Sequence, residues 1–357
     1  MNWPDRRILD LFGIDVPILL APMAGPGTPE LAIAVSDAGG LGSLPCALLS
    51  VGQLREAVEK IRAATPRPLN LNFFCHTPPP FDEARESAWR ARLAPYYREQ
   101  GLDADTAAPA SVRVPFDAEL CGLVERYRPE VVSFHFGLPE PALLERVKAT
   151  GAKVAASATT VKEARWLEAH GCDAIIAQGF EAGGHRGMFL SQDVSRQVGT
   201  FALVPQVADA VSVPVIAAGA VADARGIVAA LALGASAVQI GTAYLFCPEA
   251  KVPAAHRDAL DSAADEDTMV TNVLTGRPAR GIVNRLMREV GPMSPDAPAF
   301  PLAAGALAPL VAAAGPAHSR DFVPLWSGQA ARLASPQPAG ELTRRLAAEA
   351  LARLSTR

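Results

Sequence analysis

Apolar positions along this chain follow two rhythms. Between Val16 and Gly241, short β-branched runs that are apolar at nearly every position alternate with helix-length amphipathic stretches. The short runs are Pro17–Ala21, Gly42–Leu44, Leu69–Phe73, Val131–Phe134, Lys153–Ala156, Asp173–Ala177, Pro214–Ala217 and Ala237–Ile240. Runs without polar alternation predict strands buried on both faces. The stretches between them include Pro29–Ala38, Val51–Ala63, Pro139–Thr150, Thr160–His170 and Ala222–Leu233. Strands interleaved with amphipathic helices predict a parallel sheet covered by helices. Eight strands are the complement of an α/β (β/α)8 TIM barrel. A doubly wound open sheet has fewer strands and a G-x-G-x-x-G turn after the first. Here Ala21-Pro-Met-Ala-Gly-Pro-Gly-Thr28 follows strand one, which favours the barrel.

Two segments break the alternation. His76–Phe116, after strand three, is a long loop holding Pro78-Pro-Pro80, Trp89, Tyr96 and Tyr97. Insertions at the C-terminal ends of barrel strands commonly act as lids. After strand eight, a stretch rich in Ala, Pro and Gly reads as a helical cap insertion. In Gly340–Leu354, Leu342, Leu346, Ala350 and Leu354 share one face, as in the missing eighth barrel helix. The expected organisation is a barrel over 1–247, a cap over 248–338 and a returning helix over 339–357. No fixed-period array is present.

Composition narrows the function classes. A chain of 357 residues, half of them hydrophobic, can bury a large core. Its net charge of −4, without a basic block, argues against a nucleic-acid surface. Cys46, Cys75, Cys121, Cys172 and Cys247 show no C-x-x-C spacing, and His-Glu-x-x-His is absent, so neither a disulfide frame nor a metal site is expected. The N-terminus lacks a signal-peptide pattern. The uncharged stretch Ala297–Ser319 is interrupted by Pro298, Pro301, Pro309 and Pro316, unlike a membrane span. A soluble, cytoplasmic protein is expected, with monomer and homodimer both open.

Chemistry concentrates where strands end. Strand six runs into Gln178 and then Gly179-Phe-Glu-Ala-Gly-Gly-His-Arg-Gly187. Glycine at that density lets backbone N–H groups approach a flat or anionic ligand, with His185 and Arg186 beside it. The bland counterpart is a solvated turn with an incidental histidine. Arg186 can attract an anion or bond a loop carbonyl. Strands seven and eight end at Gly219-Ala220 and at Gln239-Ile-Gly-Thr242. Paired loops there often bind a phosphate; their glycines can also merely permit tight turns. No Walker motif is present, so a monophosphate fits better than a nucleoside triphosphate. A monophosphate with amides at Asn72 and Gln178 suggests FMN, since amides can both donate to and accept from a flavin's pyrimidine edge; ordinary turn capping is the alternative. Ala21-Pro-Met23-Ala-Gly25 offers an apolar wall. His135 closes strand four and reads either as a barrel-mouth group or as a satisfied core histidine. His76 reads as a rim residue outside catalysis, and His170, His256 and His318 as structural or surface groups.

Ala21-Pro-Met-Ala-Gly25, Ser36-Asp-Ala-Gly-Gly-Leu-Gly42, Asn70-Leu-Asn-Phe-Phe-Cys-His76 and Ser133-Phe-His-Phe-Gly137 together resemble the class I nitronate monooxygenases, formerly 2-nitropropane dioxygenases. Glu181-Ala-Gly-Gly-His-Arg-Gly187, Gln239-Ile-Gly-Thr242 and Pro324-Leu-Trp-Ser-Gly-Gln329 extend the resemblance over nearly the whole chain, with Ser327 where the family usually has Ala. Glu-Ala-Gly-Gly-His alone also resembles flavin-dependent enoyl-acyl-carrier-protein reductases. The resemblance implies FMN contacts at Met23, Asn72, Gln178, Gly183, Gly184, Gly219, Ala220, Gln239, Ile240, Gly241 and Thr242. It implies His185 as the active-site histidine and His135 as a second catalytic group. The implied reaction oxidises a small-molecule nitronate with O2 to a carbonyl compound and nitrite. Propionate 3-nitronate is the substrate the family suggests, and an NAD(P)H-dependent reductase is the rival.

Overall fold

The computed structural model describes residues 3–103, 113–315 and 318–355. Residues 104–112 of the connection after strand three, and Pro316 of the uncharged stretch, lie outside the described residues. Seven parallel staves appear as β1 (Ile18–Leu20), β2 (Gly42–Pro45), β3 (Leu69–Phe74), β4 (Val131–His135), β5 (Lys153–Ala158), β6 (Ala174–Gln178) and, after the two-residue β7 (Gly184–His185) outside the barrel, β8 (Val215–Ala218). The eighth is β9 (Ala237–Ile240), and the order around the sheet is β1-β9-β8-β6-β5-β4-β3-β2. A parallel bridge from Leu19 to Leu41 joins its two ends, so the sheet closes as a (β/α)8 TIM barrel. All eight expected runs are strands. β3, β4 and β6 extend one residue past the expected ends and so include Phe74, His135 and Gln178. Hydrogen bonding to a neighbouring stave continues where the apolar pattern stops: Phe74 registers with His135 and Gln178 with Ala218.

The helices begin where capping chemistry allows. α1 (Arg7–Phe12) precedes the barrel. Thr28 caps α2 (Pro29–Asp37), and Ser50 with Gln53 forms a capping box on α3 (Val51–Ala64). α5 (Ala118–Tyr127), α6 (Pro141–Ala149), α7 (Val161–Ala169), α8 (Thr200–Ala208) and α9 (Ala224–Ala232) cover the remaining crossovers, following α4 (Glu83–Glu99) in the long connection. After β9 come α10 (Ala254–Ser262), α11 (Arg285–Val290), α12 (Ala308–Ala313) and α13 (Ala339–Ser355). α13 lies against α9 and α2, burying Leu342, Leu346 and Ala350. No helix among the described residues is long and apolar enough to cross a membrane.

Two features of the irregular segments position the site. First, the segment after β9 carries a hairpin besides its helices: β10 (Thr268–Thr271) pairs with β11 (Ala279–Ile282), and β11 pairs with β7. These four-residue strands lie in an Ala/Pro/Gly-rich context that hides their alternation. Second, the connection after β3 is clasped to that same segment by α4. Trp89, Leu93, Tyr96 and Tyr97 share an apolar cluster with Val273, Leu286, Met287 and Phe322. Trp89 Nε1 donates to Ala303 O at 3.3 Å and Tyr97 OH to Ala306 O at 2.7 Å. Trp89→Ala should therefore lower the free energy of unfolding by about 3–5 kcal/mol, the range for a fully buried large aromatic. Urea titration measures it; a loss below about 1 kcal/mol would contradict the clasp.

Candidate active site

The C-terminal ends of the staves open into a cavity of about 630 Å³. Its lining includes Ala21-Pro22-Met23-Ala24, directly after β1, together with Ala182-Gly183-Gly184-His185 and Trp326. The turns Gly219–Ala222 and Gly241–Thr242, after adjacent strands β8 and β9, line the same space. Ala220 holds φ of +58°, a left-handed conformation unusual for a residue with a Cβ and concentrated at functional sites. Met23, Asn72, His135, Gln178, Gly183, Gly184, His185, Gly219, Ala220, Gln239, Gly241 and Thr242 are thus brought together. Ile240 is not among the lining residues. Strand alternation turns its side chain away from that of Gln239 into the core, where it is fully buried, and its carbonyl accepts from Ala21 N at 2.8 Å in the β1–β9 ladder.

A dense hydrogen-bond frame fixes the Gly-Gly-His loop. Gln178 Nε2 donates to His185 O at 2.9 Å, while its Oε1 accepts from Gly187 N at 2.7 Å. Arg186 is fully buried; its Nη2 donates to Gln178 O at 2.9 Å and its Nε to Gln197 Oε1 at 2.8 Å. The guanidinium is therefore a loop fastener. Gly183 passes so close to the chain that a Cβ would fall 2.5 Å from Gly328 N. Gly328 N in turn donates to Thr242 Oγ1 at 2.9 Å, linking the loop after β6, the loop after β9 and the Trp326 segment.

His135 has both ring nitrogens engaged. Nε2 lies 3.1 Å from His185 O, and a carbonyl can only accept, so Nε2 carries the proton. Nδ1 then accepts from Ser157 Oγ at 3.0 Å. Both alternatives for this residue hold in part: it borders the cavity, and it is a satisfied histidine supporting the backbone of His185. The His185 ring sits among Phe300 at 5.2 Å, Trp326 at 5.5 Å, Phe136 at 6.0 Å and Phe74 at 6.2 Å, centroid to centroid. Its Nε2 meets Thr275 Oγ1 at 2.9 Å.

The nitronate monooxygenase family model covers residues 5–349. The chain belongs to the nitronate monooxygenase family. A nitronate monooxygenase of Pseudomonas aeruginosa is 43% identical over 346 residues, 96% of this chain and 98% of that protein. Among solved structures, nitroalkane oxidase from Streptomyces ansochromogenes superposes with a TM-score of 0.88 at 37% identity, covering 98% of this chain and all of that one. FabK from Thermotoga maritima gives a TM-score of 0.74 at 29% identity, with 99% and 98% covered.

Within this nitronate monooxygenase fold the electrostatics are one-sided. None of the described residues lining the cavity is acidic, whereas Arg113 and Lys251 are basic. Arg277, beyond the lining, lies 3.9 Å over the Phe136 ring and donates to Met188 O. Burial pushes the His185 imidazole well below its usual range, and Arg113, His135, Arg277 and His76 push the same way. Burial likewise brings His135 to about 3 and His76 to about 4. These rings are therefore neutral at ordinary pH. Arg113, Arg277, Thr275 and Phe300 carry no motif of their own; only the fold brings them to His185, as it brings Ser157 to His135. His256, expected to be structural, is buried with Nε2 donating to Trp326 O at 3.0 Å, and it also borders the cavity.

Neutral buried histidines imply a pH-dependent stability of known sign. The unfolded chain takes up protons below about 6.5 while the folded rings do not. Their contribution is present above that pH and is lost as pH falls towards 4, at about 1.4 kcal/mol per pH unit for each ring. His76 lies among Phe74, Phe136 and Phe300 and hydrogen-bonds the Arg113 backbone, so Phe keeps its aromatic packing and removes the titrating ring along with that bond. Urea denaturation from pH 7.5 to 5.0 should show a shallower slope in His76→Phe than in the parent. Identical slopes would contradict neutral burial.

Proposed function

We propose that this chain is an FMN-dependent nitronate monooxygenase that uses O2 to convert alkyl nitronates to carbonyl compounds and nitrite. The observation carrying this reading is a cavity walled by apolar, aromatic, basic and backbone groups, with no acidic side chain among the described lining residues, into which the loop after β6 delivers one neutral imidazole. Such a field suits an anionic substrate beside an anionic cofactor tail.

The residues present fit FMN. The Met23 wall is apolar, as a flat ring requires. The turns Gly219–Ala222 and Gly241–Thr242 lie where barrels hold phosphates, and the Thr242 hydroxyl, which accepts from Gly328 N, keeps its own proton to donate. Asn72 gives its Nδ2 protons to Ser133 O at 3.2 Å and Ser133 Oγ at 2.9 Å, which leaves Oδ1 as the atom it offers. Gln178 has both ends of its amide engaged in the loop, so its part is to hold His185. When bound, FMN supplies the electron acceptor that the polypeptide lacks.

His185 orients the nitro group and, when a neutral nitroalkane is presented, takes the α-proton. The Cα–H electrons remain in the nitronate and the proton moves to the ring. Arg113 makes the cavity wall positive, and a nitronate bearing a carboxylate, such as propionate 3-nitronate, suits it. The free thiols of all five cysteines suit a reducing cytoplasm.

Two measurements test the reading. The purified protein should show flavin absorbance, should react anaerobically with an alkyl nitronate and should react little with NADPH. Colourless protein without affinity for FMN, or rapid bleaching by NADPH alone, would overturn it; the second outcome would favour the reductase alternative. His185→Asn should cut turnover of neutral nitroalkanes at least about 100-fold while retaining measurable oxidation of preformed nitronates. Full activity of that variant on both would remove His185 from the chemistry.

A further inference from the structure

Nothing in the loop itself decides which nitrogen of His185 carries its proton, yet the two tautomers have opposite chemistry. With the proton on Nε2, the other nitrogen is a base; with the proton on Nδ1, that nitrogen can only donate. We propose that Thr275 is a positioning residue that sets this choice, holding the proton on Nε2 and leaving Nδ1 as the basic atom of the site. The inference rests on the reading of His185 as proton acceptor.

The geometry is a three-member chain. His185 Nε2 lies 2.9 Å from Thr275 Oγ1, and Thr275 Oγ1 lies 3.4 Å from Arg277 O. A hydroxyl has one proton, and a carbonyl can only accept. If that proton goes to Arg277 O, the hydroxyl oxygen is free to accept from Nε2–H, and all three groups are satisfied. If it goes instead to Nε2, the Arg277 carbonyl loses this donor. The direction that satisfies every member puts the proton on Nε2.

The chain is also rigid. Thr275 is buried, and the next residue, Gly276, holds φ of +90° with a Cβ position only 2.1 Å from Pro298 O. Gly276 N donates to Asn272 O at 2.7 Å, and Asn272 is tied to Ser294 through Nδ2 and Oδ1. The His185 backbone is fixed independently by its pairing with Ala279 and by the bonds from Gln178 and His135. Neither partner can therefore turn away cheaply from the other.

The consequence is specific to proton removal. When Nδ1 takes the α-proton of a neutral nitroalkane, the ring becomes a cation whose Nε2–H points at Thr275 Oγ1. The hydroxyl oxygen accepts from it, with the hydroxyl's own proton turned to the Arg277 carbonyl 3.4 Å away. A preformed nitronate has no proton to give, and its oxidation does not need this cation.

Thr275→Val keeps the shape and removes the hydroxyl, while Thr275→Ser retains it. Thr275→Val should lower kcat/KM for a neutral nitroalkane by roughly 10- to 100-fold, the scale of one hydrogen bond to a charged group, and raise the substrate deuterium isotope effect. Preformed nitronate should lose several-fold less, and Thr275→Ser should recover most of the difference. Independently of turnover, ¹⁵N spectra of histidine-labelled full-length protein, assigned by the signal lost in His185→Asn, should show Nε2 protonated and Nδ1 bare. Opposite protonation, or equal losses on both substrates in Thr275→Val, would overturn the proposal. If the parent oxidises no nitronate, the functional reading fails, and the ring spectrum still decides the role of Thr275.

Discussion

The site depends on a two-residue pairing. Gly184 and His185 register with Arg280 and Ala279 of β11, so the loop after β6 becomes the edge of a small antiparallel sheet whose other strands come from beyond the barrel. A glycine-rich loop left alone would sample many conformations. Here the His185 carbonyl accepts from two side chains that the barrel supplies, Gln178 and His135. Barrel and insertion thus meet at one residue, and each constrains a different part of it.

That double hold explains the electrostatic character of the cavity. Half-buried Arg277, which burial shifts down to about 10, acts on the His185 imidazole, and buried Arg186, shifted to about 9, acts on that of His135. Their hydrogen bonds go to Gln178 O, Gln197 Oε1 and Met188 O, and their carboxylate influences come from Glu163 and Glu181. Those two carboxylates are themselves engaged elsewhere. Glu163 accepts from Thr159 and Phe189, and Glu181 caps the start of α8 through Thr200. Positive charge is thereby concentrated around the ring while negative charge is tied into loop backbone. An imidazole in that position is neutral at rest, and an anion in the cavity is favoured.

Much of this was legible in the sequence, for physical reasons. Parallel barrel strands are apolar on both faces, so all eight could be read from unbroken hydrophobic runs such as Ala174–Ala177. Glycines cluster where backbone must approach backbone, so Gly183 and the Trp326 segment stood out, although only the fold presses them together at Gly328. The hairpin Thr268–Ile282 was illegible because its strands are short and gain their meaning by pairing with β7. Thr275, Arg277 and Phe300 reach His185 from 90 or more residues away, and no local pattern marks them. Arg186 had two open readings, and its bond to Gln178 O chooses between them.

On the proposed function, FMN binds with its phosphate at the turns after β8 and β9 and with its ring beside the imidazole held by the loop after β6. A crystal structure of the protein loaded with FMN tests it most directly. Phosphate density should contact Gly219–Ala220 and Gly241–Thr242, with the isoalloxazine between Met23 and His185. A ring turned outward from His185, or a phosphate bound away from both turns, would contradict it.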